Sequence, residues 1–240
     1  MAYGQDRRYM TRAQAEAAQI DVGLRQYMLQ VYNYMASGLA LTGIVAYLGA
    51  STGFYQSIAQ TPLIWLVMLA PLGAVFFLSF RIEKMSFFAA QATFWVFSVL
   101  MGLSLSYIFL RYTGASIARV FFITAGTFAA MSLYGYTTKT DLSRFGSFLM
   151  MGLIGIIIAS VVNIFLGSTA LQSAISVIGV LVFVGLTAYD TQRIKADYIQ
   201  HAYAEGSDEA GKRSVFDALG LYLNFVNLFM LLLSLFGNRE

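Results

Sequence analysis

The sequence predicts an all-α polytopic membrane protein of seven spanning helices, and three observations carry that prediction. Hydrophobic residues fill 58% of the 240 positions and charged residues only 11%, against about 25% charged in an ordinary soluble domain. The apolar residues gather into runs long enough for a helix to cross the hydrocarbon core, which takes about 20 residues. These runs are continuous, whereas lipid-facing barrel strands would alternate polar and apolar over about ten residues.

The first 26 residues, MAYGQDRRYMTRAQAEAAQIDVGLRQ, are polar and of mixed charge. They read as a cytoplasmic tail and lack the short apolar core of a cleaved signal peptide. Span one, at 27–49, therefore stays as an anchor, and spans two and three follow at 62–80 and 86–110. Spans four to seven fall at 117–136, 146–166, 171–192 and 215–236. Small residues recur inside them: Ser98 and Gly102 in SVLMG, Gly126 and Ala130 in AGTFAA, and Gly152, Gly155 and Ala159 in GLIGIIIA. Such rows let helix backbones approach closely. No internal repeat is visible, so the inverted-repeat plan of many transporters gets no support.

The connector at 193–214, RIKADYIQHAYAEGSDEAGKRS, is the one long hydrophilic link. It reads as a continuation of span six that breaks at EGSDEAG, where Gly206 and Gly211 favour a turn. With two prolines in the chain and short connectors elsewhere, residues 27–240 form one membrane domain.

Charge is sorted by topology. Of 15 Lys and Arg residues, twelve fall on the N-terminal side of the spans and three, Arg111, Arg119 and Arg239, on the other. The positive-inside rule then places the N-terminus in the cytoplasm. A net charge of +3 spread in this way does not make a nucleic-acid surface. Cysteine is absent, which removes disulfides, thiolate metal sites and cysteine nucleophiles together.

Chemistry concentrates on the last two spans. Asp190, in GLTAYDTQRI, closes an apolar run, and an acid at bilayer depth costs roughly 2.5 to 3.5 kcal/mol, so it usually serves a function. In span seven, Asp217, Gly220, Asn224, Asn227 and Ser234 fall at spacings of 3, 4, 3 and 7, which is one stripe of a helix. Span six answers with Ser173, Ser176, Thr187 and Asp190. Two polar stripes in lipid should face each other or a wet cavity. The bland alternative is that the hydroxyls and amides are interhelical glue, at about 0.6 kcal/mol per bond, and that Asp190 merely pairs with Arg193 near the interface.

Enzyme chemistry fits the inventory poorly. The sole histidine, His201, lies in the connector, away from any membrane serine. No cluster of His and carboxylates offers a metal centre, and an aspartyl protease needs two buried carboxylates sharing a proton. The expectation is a protein without catalytic residues or cofactor.

GLTAYDTQRIK (185–195) and ALGLYLNFVNLF (218–229) resemble the paired C-terminal signatures of the Bax inhibitor-1 family, the transmembrane Bax inhibitor motif proteins. SFRIEKMS, GASIARVFFITAG, LYGYTTKTDLS and GSFLMMGLIGIIIASVVNIFL resemble its bacterial branch. The resemblance implies seven helices with six surrounding the seventh. It also implies, for some members, a pH-sensitive calcium leak governed by two facing aspartates and a basic latch at the end of helix two. The helix-six acid falls on Asp190, which is also the one candidate to touch the metal ion, and the latch falls on Arg81, with Lys84 beside it. The helix-seven acid falls on Asn224, where this chain departs from the pattern LYLDF.

Asn224 cannot ionise, but it can donate an amide hydrogen bond to Asp190. A switch built on repulsion between two carboxylates thus loses one charge. Asp217, seven residues earlier on the same stripe, is the replacement that spacing offers. The functional expectation is a slow calcium or other cation leak in the bacterial inner membrane, with Asp190, Asn224, Arg81 and Asp217 along its path or gate. The rival is a regulator that binds a membrane-anchored ATP-dependent protease through its tail and the 193–214 connector.

Overall fold

A computed structural model describes residues 12–201 and 207–239, with side chains placed for 20–201 and 208–239. Seven helices are long and apolar enough to cross a membrane. They are α1 (Arg12–Ser51), α2 (Leu63–Arg81), α3 (Phe87–Leu105), α4 (Gly114–Thr137), α5 (Ser143–Leu166), α6 (Thr169–His201) and α7 (Ser207–Phe236). Short helical turns at Phe54–Ala59, Ile82–Lys84 and Ile108–Arg111 fill the connectors. Hydrocarbon offers the backbone no partner, so each apolar run closes its own bonds as a helix.

Helix ends follow local chemistry. Ser86 Oγ accepts the Ala89 N–H at 3.3 Å at the start of α3, and Thr113 Oγ1 accepts the Ser116 N–H at 3.3 Å at the start of α4, the usual service of a hydroxyl at an N-cap. Gly167 ends α5 at φ 60°, a left-handed conformation natural to glycine, with its N–H on the Asn163 carbonyl at 2.8 Å.

The centre of the bundle is α7. More than half of its membrane window is buried (56%), against 6% for α5 and 11% for α2. Helices α1, α3, α4 and α6 pack on it directly, while α2 lies chiefly against α3 and α5 chiefly against α6. The outer helices turn large apolar side chains such as Phe80 and Phe165 outward, where lipid is their solvent. Tyr222 stands at the middle of α7, fully buried, with its hydroxyl 2.7 Å from Thr42 Oγ1 of α1. Thr42 in turn lies 2.8 Å from the Ser98 carbonyl of α3. Between α1 and α4 the ring opens into a largely apolar cleft of about 970 Å³, with Phe225 of α7 in its lining.

Three boundaries differ from the reading of the sequence. Residues 12–26, read as tail, are helical from Arg12 onward. They are rich in Ala and Gln, with two Arg, which favour helix, and Leu24 is buried at 3% exposure. Residues 1–11 lie outside the described part. The connector read at 193–214 is mostly helix, since α6 runs to His201 and α7 begins at Ser207. Gly211 makes no turn there: it is inside α7, where an added Cβ would stand 2.9 Å from the Phe87 ring. Gly206 lies outside the described residues.

The small-residue rows divide. A Cβ at Gly102 would lie 2.7 Å from Val45 Cβ and 2.8 Å from the Thr42 carbonyl, so α1 and α3 do meet there. Gly126 and Gly155 face open space instead. Helices α4 and α6 approach closely at Gly135, which the sequence reading passed over and where a Cβ would collide with the Ala188 carbonyl.

Candidate functional site

Asp190 sits on the face of α6 that meets α7. Its Oδ2 accepts the Asn224 side-chain amide at 2.7 Å. Its Oδ1 accepts Arg193 Nε at 3.2 Å and lies 3.1 Å from the Arg193 terminal nitrogen. One turn of helix separates the acid from the base, which puts both on one face. Exposure is 17% for the Asp190 side chain and 40% for Arg193, so the acid is inside and the base reaches toward water. Both sequence alternatives for Asp190, a partner on the last helix and a pair with Arg193, are therefore met at once.

Asn224 is buried at 6% exposure. An amide on a neighbouring helix is a neutral donor to the carboxylate, and the guanidinium supplies the charge. The second acid is placed elsewhere. Asp217 Oδ2 accepts the Tyr27 hydroxyl of α1 at 2.6 Å, with both residues nearly buried. The charges bearing on Asp217 are those of Arg193, Asp197 and Arg213. The two carboxylates thus have separate primary partners, with Arg193 bearing on both. Tyr27 is the residue that sequence reasoning missed, since it is 190 positions away from its partner and lies in what read as an ordinary apolar span.

The two polar stripes touch at two levels. Ser176 Oγ donates to Ser234 Oγ at 3.3 Å near the far end of the bundle, away from the start of α1. Between that contact and Asp190, Phe183 and Leu186 of α6 and Leu228 of α7 are buried in one apolar cluster, while Val182 turns toward Gly152 of α5. Thr187 turns onto its own helix, on the Phe183 carbonyl at 2.8 Å. Asn227, expected in the stripe, is exposed and donates to Leu223 of its own helix at 2.9 Å.

Arg81, expected as a latch on Asp190, ends α2 as an exposed side chain, and among the described residues it makes no ion pair. The base paired with Asp190 is Arg193. Lys84 is exposed as well. Among the described residues no three His, Cys, Asp or Glu side chains come together as a metal-holding group. A resident calcium ion takes six to eight oxygens, whereas Asp190 offers one carboxylate already held by a guanidinium and an amide.

Against known proteins, residues 24–240 match the profile of the family described as "Inhibitor of apoptosis-promoting Bax1". An uncharacterized protein of Rickettsia prowazekii is 51% identical over 222 residues, covering 92% of each chain. The protein named "Inner membrane protein YbhL" of Escherichia coli K12 is 49% identical over 220 residues, 91% of this chain and 94% of that one. An uncharacterized protein of Caulobacter vibrioides is 47% identical over 234 residues, again 92% of each.

Proposed function

The chain belongs to the Bax inhibitor-1 family of integral membrane proteins, and from that premise we propose that it is a non-enzymatic inner-membrane cation leak with calcium as cargo. The observation that carries this reading is the Asp190 carboxylate held between Asn224 and Arg193 at one end of the buried α6–α7 seam. An acid kept at that depth against its solvation cost is a functional device by default. The inner membrane follows from the name of the Escherichia coli relative. A cytoplasmic N-terminus follows from the excess of Lys and Arg on that side.

In this conformation buried Phe183, Leu186 and Leu228 close the seam with apolar side chains. Conduction requires α6 and α7 to part along that stretch. Arg193 plays the pairing role that the family resemblance assigns to Arg81. A proton or a metal ion arriving at Asp190 competes with Arg193 for the carboxylate, which loosens the contact that holds the near end together. The α1–α4 cleft offers a cation no equivalent, since no carboxylate lines it.

The test is calcium flux into proteoliposomes of purified protein, across a range of pH around neutrality. Asp190→Asn is expected to change the flux and flatten its pH profile. Equal flux from parent and variant removes the role of Asp190, and no calcium flux from the parent removes the leak.

A second reading is a regulator that binds a membrane-anchored ATP-dependent protease. It is favoured by the helical extensions at the near end, α1 reaching back to Arg12 and α6 forward to His201, braced by the Tyr27 and Tyr198 rings at 4.8 Å. Deleting residues 1–20 separates the two: lost association with preserved flux favours the regulator.

A further inference from the structure

At the far end of the bundle a vestibule of about 650 Å³ opens between the ends of α5 and α7, the start of α6 and the segment that joins α3 to α4. Arg111 and Arg239 line it, with Asn163, Gln172, Ser173 and Ser234. Among the described residues no carboxylate lines it. Among the described residues no Asp or Glu lies at this end of the molecule at all. Glu240, next to Arg239, falls outside the described residues.

Backbone contacts hold the last residues of the chain beside the segment that follows Arg111. Tyr112 and Arg239 pair as an antiparallel bridge. The Thr113 N–H donates to the Asn238 carbonyl at 3.1 Å, and the Asn238 N–H donates to Ser116 Oγ at 2.9 Å. These contacts fix the last residues against the start of α4, so that the backbone of Arg239 is tied beside Tyr112, the neighbour of Arg111 in the chain. Neither guanidinium has an ion pair among the described residues. Two like charges lining one cavity repel each other, and an anion between them reverses the sign of that energy.

The rest of the lining agrees. Helix α6, 33 residues long, starts at this vestibule with Thr169 in the lining, which turns the positive end of its dipole toward the cavity. Ser168 caps it by accepting the Leu171 N–H at 3.2 Å. Hydroxyls of Ser173 and Ser234 and the amide of Gln172 add neutral donors. The side-chain donors thus comprise two planar guanidinium forks, which match tetrahedral oxyanions in paired hydrogen bonds.

We propose that this vestibule is a binding site for a phosphate-type oxyanion, either a free anion or the phosphate of a lipid headgroup. Three of the chain's 15 bases belong to the far side by topology, and two of them line this one cavity. The site is independent of the leak: it repels cations where Asp190 attracts them, and its occupancy does not require the seam to open.

The experiment uses the full chain in maltoside micelles, which carry no phosphate. Inorganic phosphate and sulfate are titrated at constant ionic strength against chloride and followed by calorimetry. Saturable binding is expected, about tenfold weaker in Arg111→Gln and in Arg239→Gln, since each loses a charge-assisted contact, and absent in the double variant. Arg119→Gln, outside the lining, is expected to bind as the parent does. A parallel arm measures by native mass spectrometry whether the protein retains phosphatidylglycerol. Retention that the double variant loses, without binding of free phosphate, assigns the site to a lipid headgroup. The proposal is overturned if the parent binds neither, or if the double variant binds either one as the parent does. Should the double variant fail to fold, Arg111→Lys and Arg239→Lys keep the charge without the fork, and undiminished binding in both overturns the proposal equally.

Discussion

Asn224 on α7 donates its side-chain amide to Asp190 on α6 at 2.7 Å, joining residues 34 positions apart at the level where the α6 stripe places its ionisable group. Removing the donor leaves a carboxylate oxygen of a mostly buried side chain without its partner, at a cost of about 1–3 kcal/mol. Asn224→Ala is therefore expected to lower the melting temperature in detergent at every pH. Asn224→Asp places a second carboxylate at contact distance, and two such groups cannot both ionise without strong repulsion. Its melting temperature is expected to approach the parent's in acid and to fall as the pH rises to about 8. A melting curve for Asn224→Asp that is parallel to the parent's across that range would show that the two side chains do not meet.

The bond from Tyr27 to Asp217 holds a second acid inside the α1–α7 interface. Tyr27→Phe keeps the ring and removes the hydroxyl, so it is expected to destabilise by about 1–3 kcal/mol, the penalty for an abandoned buried acceptor. Asp217→Asn retains an acceptor for the tyrosine and should cost less. Thermal melting of both variants orders them, and the reverse order would place Asp217 outside that interface.

At Gly135 an added methyl collides with the Ala188 carbonyl, while at Gly126 it meets nothing within 4 Å. Gly135→Ala is expected to cost about 1–3 kcal/mol through overpacking. Gly126→Ala should be neutral or stabilising by up to ~1 kcal/mol, because alanine is the better helix former. Paired melting measurements decide it, and equal effects at the two sites would refute the α4–α6 contact.

Outside the spans, Asp141 in the connector between α4 and α5 is held below its ordinary value of 3.8, first by the Ser143 hydroxyl and then by the Ser143 backbone N–H. A depressed carboxyl pKa contributes stability above its unfolded value, and that stability disappears as the pH falls through the folded value. Amide exchange at Ser143, whose N–H lies 2.9 Å from Asp141 Oδ1, is expected to lose protection below about pH 4 relative to neighbouring amides. Asp141→Asn should lack that acid-dependent step.

How much of this was legible beforehand differs by residue. The pairing of Asp190 with α7 was readable because stripe spacing confines both residues to a helix face, and lipid then leaves polar faces little choice but one another. The Asp217 partner was not readable, since Tyr27 looks like any aromatic near a membrane interface. Arg193 in the place expected for Arg81 was a matter of distance: the base three residues away on the same helix needs no rearrangement to reach the acid, whereas Arg81 belongs to a helix packed chiefly against α3. Gly126 and Gly135 are indistinguishable as letters, and only the neighbour opposite each separates a packing residue from a lipid-facing one.

The sequence by itself determined the seven spans, the family and the two stripes that carry Asp190 and Asn224. Each is a local property, because hydrocarbon solvent forces every long apolar run into a helix that satisfies its own backbone. The tertiary structure decided which helix is central, where the bundle is tight and where it opens, which base holds Asp190, and that Arg111 and Arg239 share one cavity. Those depend on which faces meet across tens to hundreds of residues, and such contacts are set by side-chain shape and packing, which the order of residues along a single helix does not record.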